Sequence, residues 1–201
     1  MKRPGSIVKY NLSKHKITHN VTSQRISCFF PTHFHTLIDK LDQDDWVLGV
    51  QYSNSQDLQI GITGTSCYKE NWKRTLTREM AEELKLYPSF NHVEDVKIYK
   101  EKEKNWFCCK ININKTEPSI KQEFESESPN WKRKIGILVY GDYDSLLTIL
   151  NNNYKKYSPN DNISHIVMIR VSFIKKYMDV FKDGWNTKKS EDKKNWFHVN
   201  I

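Results

Sequence analysis

Glu79, Glu82 and Glu83 stand at i, i+3 and i+4 of a stretch whose apolar residues Leu76, Met80 and Leu84 recur with helical period. At ~100° per residue the three carboxylates fall within an arc of about 100° on one helix face. So placed, they repel one another, each i,i+4 like-charge pair costing roughly a few tenths of a kcal/mol. A divalent cation reverses that sign, and clustered carboxylate oxygens suit hard ions such as Mg²⁺ or Mn²⁺. An acidic, solvent-facing helix surface has the same pattern, so the triplet alone leaves both readings open.

The residues around the triplet narrow the choice. Gly64, Glu70, Arg78, Glu79, Met80, Glu82, Glu83 and Leu86 are spaced as G-x5-E-x7-R-E-U-x-E-E-x-G-U, with U aliphatic and Lys85 in place of the last glycine. This resembles the signature box of the Nudix hydrolase superfamily. The resemblance implies an α/β (α+β) fold, a Nudix-like α/β/α sandwich with a mixed β-sheet. It also implies an enzyme that hydrolyses a diphosphate linkage with Mg²⁺ or Mn²⁺ as cofactor. Carried onto this chain, it makes Glu79, Glu82 and Glu83 metal ligands, with the Thr63 carbonyl as a further one. Catalytic roles fall to Glu79, Glu83 and Arg78, Glu79 being either a third ligand or the base that activates water. Gly64 is expected to permit a tight loop. The fixed fork of Arg78 is suited to hold a carboxylate in one rotamer, with Glu70 as its expected partner. Glu123, Glu125 and Glu127 are late candidates for an extra ligand or base, although solvated loop charge explains them as well. The family glycine ends its helix with positive φ, and a lysine keeping that geometry costs ~1 kcal/mol.

The box does not name the substrate. The chain is basic, with a formal net charge of +8, which favours polyanionic partners such as capped RNA, nucleotides or polyphosphates. Phe29, Phe30, Tyr52, Trp72 and Trp106 are candidates to stack on a base, above all on a cationic methylated guanine. The composition, rich in Lys, Asn and Ile, is similar to that of proteins from large AT-rich DNA viruses, some of which encode Nudix decapping enzymes. These features together point to an mRNA 5′ cap, with m⁷GDP released. Two alternatives stay open. One is a hydrolase of small nucleoside diphosphate derivatives, dinucleoside polyphosphates or diphosphoinositol phosphates. The other is a catalytically inactive module that binds RNA or a cap. The basic N-terminus (Lys2, Arg3, Lys9, Lys14, Lys16) is a further candidate for RNA backbone contacts. His33 and His35 are read as sharing a strand face without a third ligand.

These residues need elements to hold them. The pattern predicts strands over 26–30, 46–52, 58–62, 93–99, 105–113, 134–140 and 163–171. It predicts helices over 36–41, 70–86, 143–157 and 173–181, with a loop over 63–69 and a long acidic loop over 116–130. Adjacent Cys108 and Cys109 should face opposite sides of a strand, and the four cysteines read as reduced thiols. The expected organisation is a single domain, its core at about 45–182, with a basic N-terminal extension (1–44) and a C-terminal tail (183–201) whose segment 196–199 docks back. No apolar run approaches the roughly 18 residues of a membrane helix, and no apolar segment follows the basic start. The expectation is therefore a cytoplasmic protein without a membrane partner.

Overall fold

Neighbouring residues along a strand point opposite ways, and here both directions are apolar, so the sheet is covered on both faces. In the central strand β4 (Trp46–Tyr52), Val47 joins one core and Leu48 the other. Cys108 and Cys109 divide in the same way, as expected, and none of the four cysteines is in a disulfide.

The computed structural model describes residues 5–19, 25–86, 93–101, 104–113, 133–156, 162–181 and 194–200, some of them, Phe29 included, through backbone alone. Their strands form one mixed, 11-stranded sheet. Besides β4 these are β1 (Ile7–Asn11), β2 (Lys16–His19), β3 (Arg25–Pro31), β5 (Leu58–Ile60), β6 (Ile62–Thr65), β7 (Val93–Glu101), β8 (Lys104–Asn112), β9 (Lys134–Gly141), β10 (Ile163–Arg170) and β11 (Lys194–Asn200). One path runs β11-β3-β5-β4-β10-β1-β2, and β9 branches from β4 to reach β6 and β8, with β7 beyond β8. The β3–β5 and β8–β9 pairs are parallel. Helices α2 (Trp72–Glu79) and α3 (Tyr143–Asn153) cover one face through Leu76, Leu146 and Leu150. Helices α1 (His35–Asp39) and α4 (Val171–Phe181) cover the other through Leu37, Ile38 and Ile174. The chain is thus mixed α+β, built on a large mixed sheet. No helix among the described residues is long and apolar enough to cross a membrane.

Four expectations need correction. The described residues before 45 are not an extension to a core that starts near 45. Strand β1 pairs with β10 inside the sheet, with Ile7 and Val8 fully buried. Because both faces of β1 are covered, it lacks the apolar–polar alternation that marks a half-buried strand, and Lys9 interrupts its apolar run. Strand 58–62 is split at Gly61, whose φ of 72 lets the chain leave β3 and β4 and pair with β9. The predicted loop 63–69 begins as strand, since β6 runs to Thr65. His33 and His35 share no strand: His33 lies in a 3-10 turn, Thr32–Phe34, stacked on Tyr99 at 4.3 Å, and His35 opens α1. The C-terminal segment does return, as β11 antiparallel to β3. The acidic loop with Glu123, Glu125 and Glu127 lies outside the described residues.

Candidate active site

The segment that carries the acidic triplet is helical but not uniformly so. Asn71 caps α2, its side chain accepting from the Arg74 N–H at 2.9 Å. At Glu79 the α-helix gives way to one π-helical turn, Met80–Leu84. Such turns widen a helix and recur at functional sites. Leu76, Met80 and Leu84 remain fully buried. The turn ends at Lys85 with φ 52 and ψ 34, the left-handed geometry that glycine would supply. Neighbouring groups hold it there: Asn153 Nδ2 donates to the Lys85 carbonyl at 3.1 Å, and Tyr154 Oη to the Leu84 carbonyl at 2.6 Å.

Arg78 is the hub. Its Nε and Nη2 donate to the two oxygens of Glu70 at 2.8 and 3.1 Å, the partner expected from the sequence. Nη2 also donates to the Thr65 carbonyl at 2.9 Å, while Nη1 reaches Glu79 at 2.9 Å and Glu82 at 3.3 Å. Glu70 accepts further bonds from the Cys67 N–H at 2.8 Å and Thr75 Oγ1 at 3.2 Å. Burial alone would raise the Glu70 carboxyl, but these bonds and the arginine's charge outweigh it and hold the group below its ordinary value. The same Glu70 bonds raise the Arg78 guanidinium further.

The triplet behaves differently. Burial pushes Glu79 up, against the pull of Arg78. Glu83 is pushed up to about 8, first by burial and then by the charges of Glu79 and Glu82. Its Oε1 accepts from Tyr52 Oη at 3.3 Å, while Oε2 is buried with no hydrogen-bond partner among the described residues. Tyr52 in turn is raised by burial and by the Glu83 charge. A carboxylate held neutral only by its acidic neighbours and burial is one that a cation would ionise. The donor set, all carboxylate oxygen, fits a hard divalent ion. As the side chains lie, Arg78 takes up Glu79 and Glu82, and no group of three or more His, Cys, Asp or Glu among the described residues is gathered around one point.

Gly64 does not make a loop. It pairs with Ile135 in the β6–β9 ladder, and its lack of a side chain makes room for Glu79. Thr63 precedes it in the same ladder, opposite Gly136.

The aromatic candidates separate. Phe30 and Trp106 are buried in the core on the α1/α4 face, away from α2, so they cannot clamp a base beside the triplet. Both sit on strands whose alternation turns them to that face. Tyr52 and Trp72 are on the α2 face but act as structure: Tyr52 bonds Glu83, and Trp72 stacks on Phe107 with centroids 6.3 Å apart. The Phe29 side chain lies outside the described ones. Sequence reasoning missed Tyr52 as the partner of Glu83, a pairing between β4 and the π-turn that no local spacing signals.

No protein-family model, curated protein or solved structure matches the chain. The chemistry of the site therefore rests on its own residues.

Proposed function

We infer that the chain is a metal-dependent hydrolase of diphosphate linkages, of the kind the box resembles. One observation carries the reading: Glu83 is half-buried beside the charges of Glu79 and Glu82, and its Oε2 is buried without a hydrogen-bond partner among the described residues, so its carboxyl keeps a proton unless a cation takes the proton's place. Glu79, Glu82 and Glu83 would hold Mg²⁺ or Mn²⁺, which when bound polarises phosphoryl oxygens and lowers the pKa of coordinated water. The rest falls to the chain itself. Arg78 fixes Glu79 and Glu82 through Nη1 while Glu70 fixes Arg78, so two carboxylates are held in defined rotamers. Tyr52 Oη orients Glu83 by donating to its Oε1. Gly64 keeps the strand backbone close enough for Glu79 to lie against it. The left-handed Lys85 supports an intact helix end, which favours a working box over a decayed one.

The substrate proposed is the mRNA 5′ cap, with small diphosphates as the competing class. The loss of Phe30 and Trp106 as clamp residues leaves basic charge as the cap reading's main support. A second reading is a non-catalytic nucleic-acid-binding module, favoured by the engagement of Glu79 and Glu82 with Arg78.

Capped RNA and a panel of small diphosphates, each incubated with Mg²⁺ or Mn²⁺, test these readings. Release of m⁷GDP that Glu83→Gln abolishes is the expected result. Cleavage confined to the small substrates moves the assignment to the second class. Tight binding with every diphosphate intact selects the binding module.

A further inference from the structure

The turn from β6 into α2 and the first turn of α2 carry three cations and an exposed aromatic ring. Tyr68 is 70% exposed, the highest value among the large hydrophobic side chains exposed in the described residues. Lys69 follows in left-handed conformation, φ 66, with Nζ 5.4 Å from the Tyr68 ring centroid. Lys73 Nζ lies 5.7 Å from the Trp72 ring, and Arg74 is exposed. The only carboxylate between positions 66 and 77 is Glu70, and Arg78 neutralises it through a two-pronged pair. With the Glu70–Arg78 pair counted as neutral, the formal charge of positions 66–77 is positive.

An exposed ring face beside several cations matches what an unpaired nucleic-acid strand offers: a base to stack and phosphates to pair. The turn is also tied to the carboxylates. The Cys67 N–H, one residue before Tyr68, is held by Glu70, Glu70 by Arg78, and Arg78 Nη1 holds Glu79 and Glu82. The backbone that carries Tyr68 is thus linked to the acidic triplet through Glu70 and Arg78.

We propose that Tyr68, Lys69, Lys73 and Arg74 form a platform for single-stranded nucleic acid, so that the diphosphate handled by this site is one joined to an unpaired strand. The proposal rests on the hydrolase reading for what happens at the carboxylates, whereas binding at the platform does not need it.

Fluorescence anisotropy of a short labelled single-stranded RNA, titrated with the full chain in EDTA at several salt concentrations, reads the platform directly. Tyr68→Ala is expected to weaken binding by about five- to 150-fold, the range for one base–aromatic stack. The Lys69→Gln/Lys73→Gln pair is expected to flatten the dependence of log K on log salt by about 0.7 for each phosphate that is no longer neutralised. Duplex RNA should bind Tyr68→Ala and wild type alike. A Tyr68→Ala variant within twofold of wild type, an unchanged salt slope, or equal losses on duplex and single strand each overturn the proposal. Hydrolysis separates it from the reading it rests on. A chain that binds RNA through Tyr68 yet cleaves no diphosphate keeps the platform and removes the hydrolase. A chain that cleaves small diphosphates but binds RNA as Tyr68→Ala does keeps the hydrolase and removes the platform.

Discussion

Glu79 lies against the bare backbone of Gly64: a Cβ at Gly64 would stand 2.2 Å from the Glu79 Cδ and 2.3 Å from its Oε1. The strand glycine and the first acidic residue of the triplet are thus one packing unit, even though a turn and a whole helix separate them in the chain.

Gly64→Ala should therefore act through Glu79. The added methyl displaces the Glu79 side chain from Arg78 and costs about 1–2 kcal/mol, as loss of a partly buried charge-assisted hydrogen bond does. In a Glu79→Ala background the same substitution meets no side chain, so its cost should fall by more than half. Urea unfolding of the two single variants and the double variant measures that coupling. Additive losses would show that the two residues do not meet.

The Gly64–Glu79 contact is not legible in the sequence, which predicts a loop at Gly64, but other parts of the site are. Arg78 and Glu70 both belong to the box the sequence resembles, and their pairing is the one that the resemblance implies. The helix stripe of Leu76, Met80 and Leu84 is readable because periodicity records burial directly. What escapes is non-local. Tyr52 meets Glu83 only because β4 and the π-turn pack together. Strand β1 is buried on both faces, which removes the alternation that would reveal it. Phe30 and Trp106 read as possible clamps because composition does not say to which face of a sheet an aromatic turns.

Glu83 makes the metal-free protein sensitive to pH in a stated direction. Its folded value, about 8, lies above the ordinary 4.5, so between those values the folded state binds the extra proton. Stability then falls as pH rises from about 4.5 to about 8, where the half-buried carboxylate must ionise beside Glu79 and Glu82. Glu83→Gln removes that loss. In chelator the variant should melt above wild type at pH 8, by a margin that shrinks toward pH 5. Equal margins at both values would show that Glu83 is not the titrating group.

Divalent cation should reverse the order. Binding to the folded state alone raises stability by RT ln(1 + [L]/Kd), about 2.7 kcal/mol at a hundredfold excess over Kd. Millimolar Mg²⁺ or Mn²⁺ should raise the wild-type Tm at pH 8 and leave Glu83→Gln near its chelated value. A rise of the same size in both proteins places the cation elsewhere.

Arg78→Lys keeps the charge and loses the fork. Lysine is a single-point donor and cannot hold both Glu70 oxygens while reaching Glu79 and the Thr65 carbonyl. Because the arginine side chain is 27% exposed, the cost is set below that of a fully buried pair, at about 2 kcal/mol. That corresponds to a fall in Tm of about 4–8 °C in a chain of this size. The acid limb should change as well. Glu70 is held below its ordinary value, so its contribution is present above about pH 4.5 and is lost as pH falls through the lower folded value. With lysine at this position the loss of stability on acidification should be smaller, which melting curves between pH 3 and pH 6 would record. An unchanged acid limb would mean that Glu70 draws its low value from the Cys67 and Thr75 bonds instead.

Lys85 is the one departure from the box, and its backbone shows what that departure costs. A side chain with φ 52 carries a Cβ in a region that disfavours L-residues by roughly 1–2 kcal/mol. The bonds from Asn153 and Tyr154 to the carbonyls of residues 85 and 84 keep the chain there despite the strain. Lys85→Gly relieves the strain but frees the unfolded chain, so the net gain should be about 1 kcal/mol, or 2–4 °C in Tm. Lys85→Val, β-branched at a left-handed position, should destabilise by at least as much. Activity should follow neither change closely, because the lysine side chain is no part of the acidic cluster. If Lys85→Gly alters hydrolysis more than it alters Tm, the helix end sets the position of Glu82 and Glu83, and the lysine is then a tuning residue.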